Sequence, residues 1–146
     1  FLMTMPGAPC SYYGEEVGLS AAGDPYCREA FPQDEADWDT DLLTFYRDAT
    51  TLRHRHEVLR TGRVEWLQAT ERVVVFRRVL GDQEGVVAFN AGAESTTLNL
   101  SPDRFLSSAL HPAWPLGADT TGVYLNGSPE PVTIPAREAR VWVGEA

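Results

Sequence analysis

The chain has 146 residues, 43% of them apolar, and a formal charge of −9; this suits one medium domain or a domain with an appendage, and argues against disorder. The negative charge repels nucleic acid and anionic membrane surfaces, so neither is expected as a partner. No run approaches the roughly 20 apolar residues of a membrane helix.

The acidity is uneven. Residues 1–48 hold ten acids against Arg28 and Arg47, whereas the remaining 98 hold eleven acids against ten arginines. Such asymmetry points to two regions of different character. All twelve basic residues are arginine, a bias that fits a GC-rich genome.

Residues 1–14 open on FLMTMPGAPC, an apolar run broken by Pro6, Gly7 and Pro9. The run lacks the basic lead of a signal peptide. Apolar on both faces, it reads as a short buried strand of a parallel sheet, one that needs neighbours to satisfy its backbone. Without them it would expose an apolar edge and face, and self-association of the chain through residues 1–14 is expected.

Residues 15–37 form a long polar loop in which Gly18, Gly23, Pro25 and Pro32 prevent a continuous helix; loops of this length are uncommon unless functional. Residues 39–55 are the one good helix. Asp39 or Thr40 can cap its start, Leu42, Phe45, Tyr46, Ala49 and Leu52 make an apolar stripe, and Arg53 and Arg55 suit its negative end.

From Arg63 the period changes to strands. RVEWL, RVVVFRRVL, GVVAFNAG, STTLNLS, RFLSSAL, GVYLNG, PVTI and EARVWVG are eight short candidates, most separated by turn signals. They argue for an antiparallel β-sandwich. The expected division is therefore residues 1–62, holding strand, loop and helix, and residues 63–146, the sandwich. Trp66 and Trp142 are expected in the sandwich core.

Few residues announce chemistry. The carboxylates Glu15, Glu16, Asp24, Glu29, Asp34, Glu35 and Asp37 crowd the loop, and paired carboxylates are what glycoside hydrolysis needs; in an acidic loop, however, such pairs read first as solvated surface. His54 and His56 sit two apart at a helix end and face different ways, as surface residues rather than a base or metal pair. Cys10 and Cys27 have no metal-ligand spacing, and read as reduced thiols of a cytoplasmic protein. No metal site and no cofactor are implied.

One constellation is more specific. PGAPCSYYGEEVGL, then GDPYCREAFPQDE, then DLLTFYRDATTLRHRHEVLRTG, then a β region ending in IPAREARVWV, resembles the α-amylase family of retaining glycoside hydrolases. The similarity is strongest to its neopullulanase, cyclomaltodextrinase and maltogenic amylase branch. Pro6, Gly7, Pro9, Tyr12, Tyr13, Gly14, Glu16 and Gly18 fit that family's form PGxPxxYYGxExG, which runs out of the eighth strand of a (β/α)8 barrel. Asp24, Pro25 and Arg28 fit its Asp-Pro-x-x-Arg loop.

The resemblance implies the terminal strand and helix of a (β/α)8 barrel followed by an all-β antiparallel sandwich. It implies an α-glucan oligosaccharide as substrate of a longer parent enzyme, cut at α-1,4 and in some members α-1,6 bonds by two carboxylates. Those carboxylates belong to earlier barrel strands, so no catalytic residue is expected in this chain and the chain alone is expected to be inactive. Glu16 becomes scaffold at a strand end. Asp24 and Arg28 are the residues the resemblance turns towards the sugar. Gln33 departs from the pattern, since the family often carries Trp there. The competing reading keeps residues 63–146 as a non-catalytic sandwich that binds carbohydrate through Phe105, Trp114 or Tyr124, or serves only as support.

Overall fold

The computed structural model describes residues 1–107, 109–116, 123–124 and 130–145. All eight expected strands are present. They are β1 (Arg63–Ala69), β2 (Val73–Leu80), β3 (Gln83–Asn90), β4 (Thr96–Leu100), β5 (Ala109–Trp114), β6 (Val123–Tyr124), β7 (Glu130–Ile134) and β8 (Glu138–Glu145). Only the fifth is displaced: Phe105 to Ser107 are irregular, and the strand begins at Ala109 and takes in HPAW.

Six strands form one sheet in the order β1-β2-β3-β8-β5-β6, and β4 pairs with β7 in a second. Every pairing is antiparallel. The β2–β3 register leaves Gly81 and Asp82 as a two-residue loop, with Gly81 at φ 61°, a conformation glycine adopts without steric cost.

The large sheet is covered on both sides. On one face Val73, Val75, Val86, Ala88 and Trp142 meet Leu98, Leu100 and Ile134 of the small sheet. This is the sandwich core, built from alternate residues of each strand. On the other face Phe76, Val87 and Val141 meet Leu52, Val58 and Leu59. Those three come from α1 (Thr40–Arg55) and α2 (Glu57–Thr61). The start of α1 is capped by Asp39, whose Oδ1 accepts from the Leu42 N–H at 2.9 Å.

Residues 1–14 depart from expectation. They form no strand: Leu2–Thr4 is one 3-10 turn, and the segment is largely irregular. Among the described residues no parallel strand lies beside it, so its backbone groups find other partners. Phe1 packs on Phe76 and Phe89, with ring centroids 6.2 and 5.4 Å apart. The carbonyls of Met3, Met5 and Gly7 accept from the Arg53 guanidinium at 2.8, 2.9 and 2.6 Å. Arg53 is therefore not a solvated helix-end charge; it is buried.

A second buried guanidinium lies beside it. Arg78, fully enclosed at 0% exposure, points from β2 to the helix-facing side of the sheet. It donates to the carbonyls of Gly62 at 3.0 and 2.6 Å, Thr4 at 2.5 Å and Leu59 at 2.7 Å. Arg53 donates to the same Leu59 carbonyl at 2.9 Å. Neither arginine has a carboxylate partner among the described residues. Burial and the nearby Arg53 charge both lower the Arg78 pKa, yet a guanidinium keeps its proton and is held by oxygen dipoles.

Trp66 also departs from expectation, at 54% exposed. It stands on β1 at the edge of the sheet, where its ring lies edge-on to Phe76 at 5.3 Å. Trp142, on a central strand, is buried as expected.

Replacing Arg78 with Met leaves the enclosed carbonyls of Thr4 and Gly62 without their guanidinium donor, while that of Leu59 keeps Arg53. The expected loss is about 3 kcal/mol or more, since hydrogen bonds to charged groups contribute about 1.5–3 kcal/mol. Urea unfolding measures it, with the exposed Arg72→Met as control; equal midpoints for the two variants would contradict the structural role of Arg78.

Candidate functional site

The loop ahead of α1 is ordered by short local devices. Gly14 takes φ 88°, which turns the chain after Tyr13 into a 3-10 turn over Glu15–Val17. Glu15 Oε2 accepts from the Tyr12 N–H at 3.2 Å, and the buried Val17 offers its carbonyl to the Asp39 N–H at 3.0 Å. Glu15 thus stabilises its own turn. Glu16 lines a shallow cleft beside α1 with Tyr13, Tyr46 and Arg47.

Asp24 and Arg28 are brought together. A 3-10 turn over Tyr26–Arg28 folds the segment so that Arg28 Nη2 donates to Asp24 Oδ1 at 2.6 Å. Both side chains are 67% exposed. An exposed pair of this kind adds little to stability. Among the described residues the only other side-chain hydrogen bond of either group comes from the Cys27 thiol, 4.0 Å from the same Oδ1. Asp24 Oδ2 and the remaining guanidinium nitrogens are left for a ligand. One acceptor beside a fork of donors matches adjacent sugar hydroxyls.

The loop is tied back to residues 12–13, because the Tyr13 hydroxyl donates to the Glu29 carbonyl at 2.9 Å. Tyr12, Tyr13 and Tyr26 are all exposed around it. Gln33, where the resemblance would place Trp, is exposed and donates to the Phe31 carbonyl at 3.1 Å. Trp38 supplies an aromatic nearby instead: it packs edge-on against Phe31 at 5.7 Å and donates to the Pro32 carbonyl at 3.0 Å.

No group of three or more metal-ligating side chains occurs among the described residues. Cys10 and Cys27 are both free and exposed. Of the aromatic residues singled out in the sandwich, Phe105 is half-buried against the core and Trp114 lies on β5; the Tyr124 side chain lies outside the described part.

Comparison with known proteins adds lineage to this geometry. No family model matches the chain. Neopullulanase 2 of Thermoactinomyces vulgaris is 37% identical over 106 residues, covering 70% of this chain and 18% of that protein. A cyclomaltodextrinase of a Bacillus species is 46% identical over 69 residues, 47% of this chain and 12% of that one. The solved debranching enzyme of Nostoc punctiforme superposes with a TM-score of 0.82 at 33% identity, over 97% of this chain and 29% of that one. The chain matches the C-terminal part of α-amylase-family enzymes.

Within that α-amylase lineage this chain spans less than a fifth of the length of the curated relatives named above. Sequence reasoning found the Asp24–Arg28 pair and missed what holds its surroundings in place. Arg53 was visible only as a helix-end charge. Arg78 had one signal, its place among valines in VVVFRRVL, where neighbouring arginines must face opposite sides of the sheet. Arg77 accordingly turns to the sandwich side and pairs with Glu65 at 2.6 Å.

His56 joins α1 to α2 and is half-buried beside a cleft of about 770 Å³ that also includes Arg55, Glu57 and His111. Burial, and then the Arg55 charge, lower its pKa. The neutral imidazole is therefore favoured by folding. Its contribution to stability is complete above the ordinary histidine range and declines as pH falls through it. The urea midpoint is expected to drop between about pH 8 and about pH 5.5, and His56→Gln to reduce that drop. An unchanged pH dependence in the variant would contradict the assignment.

Proposed function

We propose that this chain acts as the C-terminal part of a longer α-glucan hydrolase or transglycosylase. Its substrates are α-1,4-linked, and in part α-1,6-linked, glucosyl oligosaccharides. The chemistry is that of a retaining enzyme, in which two carboxyl groups about 5–5.5 Å apart share the roles of nucleophile and general acid. Those groups come from residues outside these 146. The role of this chain is to supply one wall of the cleft and the sandwich behind it.

The observation that carries the proposal is the Asp24–Arg28 pair. It is exposed, Asp24 Oδ2 and most of the Arg28 donors are free, and it lies in the segment whose order and spacing match the α-amylase family. A neutral sugar offers donors and acceptors on adjacent carbons, and an ion pair can answer both without bringing a net charge. The names of the relatives, neopullulanase, cyclomaltodextrinase and amylopullulanase, support a glucan as ligand.

In the parent enzyme, Asp24→Ala and Arg28→Ala are each expected to raise KM for maltotriose-sized substrates by about tenfold, a loss of about 1.4 kcal/mol in binding. The fall in kcat is expected to be smaller, because the reacting bond is made and broken by other groups. Unchanged KM in both variants would overturn the substrate-binding role.

Self-association belongs to the same proposal. Phe1, Leu2, Tyr12 and Tyr13 are exposed at 61%, 47%, 52% and 42%, and such an apolar surface seeks cover. Sedimentation of the 146-residue chain is expected to show concentration-dependent dimers or larger species. A monomer at all concentrations would contradict it.

A further inference from the structure

We propose that Tyr13 is a positioning residue for substrate binding: its hydroxyl holds the Asp24–Arg28 pair in place through the carbonyl of Glu29. The role rests on the reading of that pair as a sugar contact. Residues 20–30 are exposed throughout. Inside this segment the Arg28 guanidinium and the Cys27 thiol bond to Asp24, the Tyr26 N–H to the Gly23 carbonyl and the Arg28 N–H to the Pro25 carbonyl. Those bonds shape the turn but do not fix where it lies. Among the described residues one hydrogen bond joins the segment to the rest of the chain. The Tyr13 hydroxyl donates to the Glu29 carbonyl at 2.9 Å, across 16 residues. Glu29 follows Arg28 directly, so the bond ends beside the guanidinium-bearing residue.

The donor end is itself held. Gly14 takes φ 88°, and a side chain there would place its Cβ 2.6 Å from Leu19 Cδ2. Its carbonyl accepts from the N–H groups of Val17 at 3.1 Å and Leu19 at 2.9 Å, which closes the turn after Tyr13. The Val17 carbonyl accepts from the N–H of Asp39, the cap of α1. The Tyr12 ring lies against that of Tyr13, with centroids 4.6 Å apart. Tyr13 thus reaches from a frame attached to α1 to a turn with no other hydrogen-bonded attachment.

The Glu29 carbonyl does not need this bond for its own sake. It is exposed, and water can serve it instead. Exchanging a water bond for a protein bond adds little to global stability. The effect is confined to the loop. A segment with so few ties opens at low cost, and a binding group that must be ordered on association loses affinity. One bond of ordinary strength therefore sets how much of the loop population is ready for sugar.

Tyr13→Phe removes the hydroxyl and keeps the ring. In the 146-residue chain the variant is expected to leave the urea midpoint unchanged and to speed tryptic cleavage after Arg28 by about threefold to fivefold, with cleavage after the exposed Arg72 as internal control. In the parent enzyme it is expected to raise KM for maltotriose-sized substrates by about threefold to fivefold, while kcat changes by less than about twofold. In an Asp24→Ala/Arg28→Ala background it is expected to add nothing, because its effect runs through the pair. Unchanged cleavage after Arg28 overturns the proposal. So does an unchanged KM in Tyr13→Phe while Asp24→Ala and Arg28→Ala raise it, a result that leaves the sugar-binding reading of the pair standing. A rise in KM that persists in full in the Asp24→Ala/Arg28→Ala background also overturns it, since Tyr13 would then act on sugar by itself. Faster cleavage after Arg28 with unchanged KM in all three single variants overturns the sugar-binding reading, and the positioning role falls with it.

Discussion

Two buried guanidinium groups hold the helical layer to the sheet. Arg53 from α1 and Arg78 from β2 share the Leu59 carbonyl and between them collect the carbonyls of Thr4, Gly62 and three further residues near the N-terminus. None of those carbonyls belongs to a sheet. An irregular segment that enters a protein interior must find donors for its backbone oxygens, and a guanidinium brings five in one fixed plane. The arrangement does without carboxylates. A buried acid would have to be desolvated as well, and its attraction would not reliably offset that cost.

That clamp decides where the loop carrying Asp24 and Arg28 sits. Residues 1–7 are fastened to α1 and to the sheet, and Asp39 at the start of α1 is fastened to Val17. The segment between, with Asp24 and Arg28 at its outer turn, projects from two fixed ends. Loops on a rigid frame are where binding groups are usually found. The same packing brings Phe45 of α1 against Trp114 of β5. The proposed sugar contact of Asp24 and Arg28 therefore depends on how the helical layer is docked, although it includes no arginine of the clamp.

Much of the fold was legible from residues 39–145. Alternation of apolar residues, sustained by β-branched side chains, gave the strands; Asp39 followed by a helical stripe gave α1. The errors share a cause. Residues 1–14 carry the composition of a buried strand, but a strand is made by its neighbours, and here the partners are guanidinium groups. Trp66 was assigned to the core by its size; its strand is at the edge of the sheet, where size alone does not bury a ring. The second covered face of the sheet was hidden because Arg53 and Arg78 look polar in sequence and are interior in fact. At the site, Asp24 and Arg28 were recognisable from their spacing and family resemblance. The Tyr13–Glu29 tie and the Phe45–Trp114 corner join residues far apart in the chain, and no local pattern marks them.

The assignment to the C-terminal part of an α-glucan enzyme is tested most directly by reading the coding sequence that precedes Phe1. Seven βα units are expected there, with an Asp, a Glu and a further Asp at the C-terminal ends of their strands, where barrel enzymes keep their catalytic groups. A stop codon immediately upstream, or an unrelated reading frame, would contradict it.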